Sequence, residues 1–304
     1  MSAEKTSEQT IYRRRYLRDS MEELVKVSNL KFKYPDGTSL CFDGHDFTVG
    51  KGERVAILGP NGSGKSTLLS LLLGLLKSSG GEIDVLGVNP GTDYEKVRER
   101  VGALLQNVEL QIIAPKVWDD ISFSPRNYGY DKEKTDKLVE ELLQKLDIEH
   151  LRDKVPHYLS GGEKTKVAVA GALATKPELL ILDEPFEHID PTCRKEMIHL
   201  LNDVNKELGT AIIFSTHNMN TVPLIADTVY LIAEGGSIVG KGTPKEIFSD
   251  VESLTKCHVQ PPILGELFSE LKKRGIDADV SLTVEEAVCT LADLLLSSKN
   301  KPDM

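Results

Sequence analysis

The segment Gly59-Pro60-Asn61-Gly62-Ser63-Gly64-Lys65-Ser66 constrains this chain more than any other, because it fits a pattern, G-x-x-x-x-G-K-S/T, that belongs at one kind of junction. Arg54 to Leu58 reads as a buried strand before it, and Lys65 to Leu76 reads as a helix after it. Glycines at such a turn let backbone N–H groups face inward, and the helix N-terminus adds positive potential, so the junction suits phosphate groups. Lys65 would reach the terminal phosphates, and Ser66, with Thr67 behind it, would offer a hydroxyl to magnesium. The implied ligand is ATP or GTP. A glycine-rich turn that binds nothing is the competing reading, and the agreement of motif with context weighs against it.

The rest of the chain supplies the sheet that such a loop needs. Leu30, Phe32 and Tyr34 alternate with Lys31 and Lys33 before a Pro35-Asp36-Gly37 turn signal, which predicts a hairpin. Glu82 to Leu86, Val101 to Leu105, Leu179 to Leu182 and Ala211 to Phe214 read as further strands, and their alternation with helices favours a parallel sheet. Between about 132 and 176 the pattern turns helical, with Leu138, Leu142 and Leu146 on one stripe, as an insert in the α/β domain. After Asp250 a short unit follows: a helix carrying Leu264, Leu267, Phe268 and Leu271, then a second one opened by a Thr283/Glu286 capping box. So short a unit buries little core alone and is expected to pack on the main domain or on a partner.

Composition narrows the class. Lys and Arg number 37 against 47 Asp and Glu, and the resulting charge of −10 argues against nucleic acid as the main partner. Cys41, Cys193, Cys257 and Cys289 are far apart with no C-x-x-C pair, which predicts reduced thiols rather than a zinc site or disulfides. The longest apolar stretch, Leu68 to Leu76, falls far short of the ~20 residues that span a bilayer. Arg13, Arg14, Arg15 and Arg18 interleave with Tyr12, Tyr16 and Leu17 in the first 22 residues, where a flexible basic tail is expected, with contact to an anionic membrane surface as the alternative. No apolar core follows those arginines, so the stretch does not read as a secretory signal.

Two further segments carry chemistry. Asp183 and Glu184 end the apolar run Leu179 to Leu182; Asp183 is placed to hold magnesium's water shell, and Glu184 to orient or deprotonate an attacking water. Leu159-Ser160-Gly161-Gly162-Glu163 places small residues at a helix start, where Ser160 and the glycine backbone could meet a phosphate.

Leu159 to Glu163 resembles the signature of ABC ATPases, whose usual form ends in Gln. The other family motifs follow in order: Tyr34 in the place of the adenine-stacking aromatic, Gln106 in that of the Q-loop glutamine, Asp190 in the D-loop, and His217 in that of the switch histidine. Asn205-Lys206-Glu207-Leu208 lacks the Asp of the guanine-reading motif, which favours ATP. The resemblance covers about Glu23 to Asp250 and implies a P-loop ABC cassette of α/β class with an antiparallel β edge, a helical subdomain (about 107–176) and a short α-rich extension (251–304). A narrower resemblance, carried by Gln106-Asn107, Gln111, Ala114-Pro115, Phe123, Pro125, Val169 to Ala174, Gly242-Thr243-Pro244 and Pro261-Pro262, is to the energy-coupling-factor ATPases of cobalt/nickel and vitamin importers.

That resemblance implies an ATP- and magnesium-dependent ATPase at the cytoplasmic face of the membrane, paired with a copy or a paralogue under a transmembrane coupling subunit and a membrane substrate-binding subunit. Lys65, Ser66, Gln106, Asp183, Glu184 and His217 of one subunit would face Ser160, Gly161 and Gly162 of the other. A soluble ABC ATPase unconnected with transport is the rival reading. Pairing is expected through the extension, and docking of the membrane subunit between Gln106 and about Pro125, with Ile113 and Trp118 as contacts. Phe186-Glu187-His188-Ile189 departs from the small residues the family usually carries before Asp190.

Overall fold

The computed structural model describes residues 22–187, 189–276 and 278–299, with side chains as far as Leu296. The expected basic tail, apart from Glu22, and His188 lie outside the described residues. A four-stranded antiparallel sheet is built on β1 (Glu23–Lys33), which pairs with β2 (Ser39–Phe42) and β3 (Phe47–Gly50) and, along its other edge, with a strand discussed below. Val25 and Val27 point inward, as do Leu30 and Phe32, so the alternation changes parity between them. Asn29, at φ 47°, lies where the register shifts, and the extra residue of such a bulge is what restores the facing. The predicted hairpin is present: Gly37 N–H donates to Tyr34 O (3.0 Å) and Thr38 N–H to Asp36 Oδ1 (2.8 Å).

A six-stranded sheet carries the rest. With β4 (Arg54–Leu58), β5 (Gly80–Val85), β6 (Val101–Leu104), β7 (Leu179–Leu182), β8 (Ala211–Ser215), β9 (Thr228–Ile232) and β10 (Ile238–Gly242), its order is β10-β9-β4-β8-β7-β6, parallel except for β10. The strand missing from this order is β5, which runs antiparallel to β1 and not in the parallel sheet that strand–helix alternation predicts. Its Ile83 and Val85 are buried while Glu82 and Asp84 are not, the alternation of a sheet with one wetted face; β7, β8 and β9 are buried at every residue, as strands covered on both faces are.

Successive residues of the parallel strands feed two cores. Val55, Ile57, Ile181, Ile213 and Tyr230 pack with the antiparallel sheet and α1 (Lys65–Leu72), whereas Ala56, Leu58, Leu182, Phe214 and Leu231 pack against the helices of the other side. Those include α2 (Lys132–Lys145), α3 (Gly161–Leu173) and α4 (Pro191–Leu208). α1 stops earlier than its apolar run suggests, because Gly74 takes φ 66° and its N–H closes on Leu71 O. Remote from the glycine-rich loop, Arg54 forks onto Asp227 at 2.6 and 2.9 Å and reaches Asn202 Oδ1 at 2.7 Å, joining the starts of β4 and β9 to α4.

The C-terminal stretch is not a separate ball. Leu254, Cys257 and Val259 join the core that α3 and α4 cover, and Ile263 N–H, at the start of α5 (Ile263–Lys273), donates to Asn220 Oδ1. At the head of α6 (Val284–Lys299), Glu286 N–H donates to Thr283 Oγ1, while the Glu286 carboxylate reaches back to Leu282 N–H, one residue beyond the capping box expected. Val284, Val288 and Leu295 stay 65, 61 and 65% exposed along one stripe. No helix among the described residues is long and apolar enough to cross a membrane.

Between β6 and α2 lie three short helices, Val108–Gln111, Val117–Ile121 and Phe123–Asn127. Trp118 is half-buried against the core, and the Arg152 guanidinium stacks 3.9 Å from the centre of its ring, which covers that face. Val117 and Ile121 are fully buried, whereas Leu110 and Ile113 are 78 and 64% exposed.

Candidate nucleotide site

The glycine-rich loop joins β4 to α1, as its motif requires. A Cβ at Gly59 would lie 2.3 Å from the Ile232 carbonyl oxygen, which leaves no room for a side chain, and Gly64 takes φ 102°, a conformation that residues with a side chain rarely adopt. Lys65 Nζ donates to Gly59 O (2.9 Å) and Pro60 O (3.0 Å), which ties the lysine across the loop it follows. Burial pushes the pKa of that ammonium down, and Glu184 and Asp183 partly offset it. Ser63 Oγ is buried with no partner among the described residues, which is unusual unless a ligand supplies one. Tyr34 is half-buried, edge-on to Phe32, and its hydroxyl is hydrogen-bonded to Thr67 Oγ1. The two residues expected to touch nucleotide from different elements are thereby linked.

Asp183 and Glu184 leave the end of β7 beside this loop. Ser215, the last residue of the neighbouring β8, donates from Oγ to Asp183 Oδ1 (2.6 Å) and accepts from Glu184 N–H (2.9 Å), so one hydroxyl sets both acids. Glu184 takes φ 52°, a left-handed conformation rare for a non-glycine residue and concentrated at functional sites. Its carboxylate is nearly enclosed, and Oε2 accepts from His217 N–H (3.2 Å) and lies 3.0 Å from His217 Nδ1. Burial raises its pKa against the lowering pull of His217 and Lys65, which makes it a stronger base than a solvated carboxylate.

Gln106 follows β6 on a loop that Gln111 splints, accepting from Leu105 N–H (2.9 Å) and donating to Ala103 O (2.8 Å). Gln106, Asp183, Glu184 and Glu187 line one cavity of about 520 Å³, whose opposite wall is Gly161, Lys164 and Thr165 of α3. Ser160 caps α3. Its N–H and Oγ both reach Glu163 Oε2 at 2.8 Å while Glu163 N–H returns to Ser160 Oγ, and these bonds hold the Glu163 carboxyl below the ordinary range. Gly162 packs against Cys193, just after Asp190, which caps α4.

The structure thus gathers Lys65, Asp183, Glu184, His217 and Gln106 at the ends of adjacent strands, and engages Ser160 with its own helix. Ser66 is exposed at the start of α1. Sequence reasoning missed Ser215, Glu187 and the splinting role of Gln111. Ser215 carries a signal only once β7 and β8 are known to pair in parallel with Leu182 opposite Phe214, which sets Asp183 beside it.

The donors fit magnesium. Ser66 hydroxyl, Asp183 carboxylate and Gln106 carbonyl are hard oxygens, and among the described residues no group of three or more His, Cys, Asp or Glu could hold a metal by itself. Magnesium is commonly held that way, by one or two carboxylates plus the substrate's phosphates.

A family model described as ABC transporter matches residues 42–187. The energy-coupling factor transporter ATP-binding protein EcfA of Methanocaldococcus jannaschii is 43% identical over 267 residues, spanning 86% of this chain and 95% of that protein. Its namesake from Methanococcus maripaludis is 40% identical over 268 residues, 87% of this chain and 95% of the relative. Among solved structures, cbiO1 from Clostridium perfringens, described as part of the ABC transporter complex cbiONQ, aligns with a TM-score of 0.68 at 38% identity over 82% of this chain and 99% of its own. With a phosphate loop, a strand-end acid pair and a capped signature helix in one chain, and relatives matched over nearly their whole length, this protein belongs to the ABC transporter ATPases of the energy-coupling factor family.

Proposed function

We propose that this chain is the ATP-hydrolysing subunit of a membrane importer, working at the cytoplasmic face as one of two ATPase subunits. The observation that carries the chemistry is Glu184: an enclosed carboxylate of raised basicity, held by His217 on a backbone whose N–H Ser215 accepts, beside the phosphate loop. The adenine would stack on Tyr34, and the phosphates would lie across residues 59–67, where Lys65 exchanges its carbonyl partners for phosphate oxygens. Magnesium bound with the nucleotide, by Ser66, Asp183 and Gln106, would neutralise charge on those phosphates. Glu184 then takes the proton of the attacking water, and His217 holds the carboxylate in place.

Ser160, Gly161 and Gly162 complete the partner subunit's site in a head-to-tail pair, because N–H groups at a helix start favour an anion. That pair is of identical chains or of paralogues. The relatives are named as ATP-binding proteins of a transporter, which supports further transporter subunits as partners; these would be a transmembrane coupling subunit and a substrate-binding membrane protein. Docking is assigned to the exposed patch of Leu110, Ile113, Val155 and Tyr158, beside a hollow of about 340 Å³ that Leu110, Ile113 and Val155 line. The cargo, a transition-metal ion or a vitamin, is chosen by the membrane components.

Glu184→Gln tests the assignment. Glutamine keeps the shape and the backbone conformation but not the base, so ATP should still bind while turnover falls by ~10² or more. Turnover near normal removes Glu184 from the chemistry. Lys65→Ala should weaken ATP binding itself, because its charge meets phosphate before and during reaction.

A further inference from the structure

Phe186 and Ile189, on either side of the acid Glu187, are fixed in a way that gives that acid a task. Phe186 is 3% exposed, with its ring edge-on to Phe214 at 5.9 Å, and Ile189 is 6% exposed, so these two residues belong to the core. Glu187 N–H closes a turn on Glu184 O at 3.1 Å. Between these fixed points Glu187 faces the cavity that Gln106, Asp183 and Glu184 share, and its Oε2 accepts from Gln106 Nε2 at 3.4 Å.

An ionised carboxylate only accepts hydrogen bonds, so the Gln106 group facing it is the NH₂. The two ends of a carboxamide diverge, and the carbonyl oxygen is the end left for a cation. We propose that Glu187 is a positioning residue for Gln106, turning its carbonyl oxygen toward the magnesium ion that arrives with ATP. This rests on the nucleotide-site reading above and adds to it a residue that the phosphate-loop chemistry does not require. Outer partners of this kind orient the groups that touch a metal. Phe186 and the turn at Glu184 make the arrangement work, since a carboxylate on a loose loop would fix nothing.

The test is calorimetric binding of ATP to the full chain, with magnesium and with EDTA, whose ratio isolates the metal's share of affinity. Glu187→Ala should lower that ratio about tenfold. Glu187→Gln should recover much of it, because the glutamine carbonyl still accepts from Gln106. Gln106→Ala should lower the ratio equally, and Glu187→Ala should then add nothing in the double variant. The proposal is overturned if the ratio is unchanged in Glu187→Ala, if Ala and Gln strengthen binding alike with and without magnesium, or if the two effects add. An unaltered chain that binds no ATP overturns the site reading along with it; additive effects in a chain that binds and hydrolyses ATP overturn only the role of Glu187.

Discussion

Ser215 is the residue on which the acid pair depends, and no motif contains it. Its hydroxyl is fully buried between the Asp183 carboxylate and the Glu184 amide, so Ser215→Ala leaves an acceptor and a donor without their partner. A loss of about 1–3 kcal/mol is expected in urea unfolding, with a fall in turnover larger than any change in ATP affinity. An unchanged unfolding midpoint would show that the two acids are held by the strand ends alone. At this scale the sequence was legible where function is local: Gly59 to Thr67, Asp183 and Glu184 are contiguous, and contiguity is what a motif records. Ser215 and Glu187 act across strand pairs and turns, which only the fold brings together.

Among the elements, the short helices after Gln106 divide into a buried and an exposed set. Leu110→Asp or Ile113→Asp places a charge in water, so the variants should keep their circular dichroism and basal ATPase while losing capture of the membrane complex. Val117→Asp puts the same charge at a fully buried position and should unfold the chain or cost several kcal/mol. Should Ile113→Asp also unfold, the patch is core and the docking assignment is wrong. The apolar run was visible in the sequence, but its division was not, and neither was the stacking of Arg152, far along the chain, on the Trp118 ring. An ion pair of 2.5 Å between Glu109 and Lys164 joins the same short helix to α3, so the patch and the signature helix share a strut.

Over the whole molecule, the C-terminal stretch meets the core through Leu254, Cys257 and Val259 and buries Phe268, but leaves the stripe of Val284, Val288 and Leu295 in water. Pairing of two ATPase subunits through that stripe is the expected use. The double change Val288→Glu, Leu295→Glu should shift the nucleotide-free protein toward monomer in sedimentation, with folding unaffected because both positions are exposed. A dimer that persists unchanged assigns the stripe elsewhere. The hairpin and four strands of the six-stranded sheet, β4, β6, β7 and β8, followed from alternation and apolar runs; β9, β10, the division into two cores and the transfer of β5 to the other sheet did not, because strand signals do not name their partners.

The fork of Arg54 on Asp227 and Asn202 lies at the end of the sheet remote from the phosphate loop, where it ties the starts of β4 and β9 to α4. A tie of this kind should hold that end of the sheet more firmly than the end that carries the loop. Amide hydrogens of Ile212 and Val229, near the clasp, should exchange with solvent at the same slow rate whether or not nucleotide is present. Those of Glu187 and His217, at the free end, should slow when it binds. If this clasp anchors the end of the sheet, Arg54→Ala should spread nucleotide-dependent exchange along the whole length of β4 and β9, and exchange confined to the loop end in that variant would show that the clasp plays no such part.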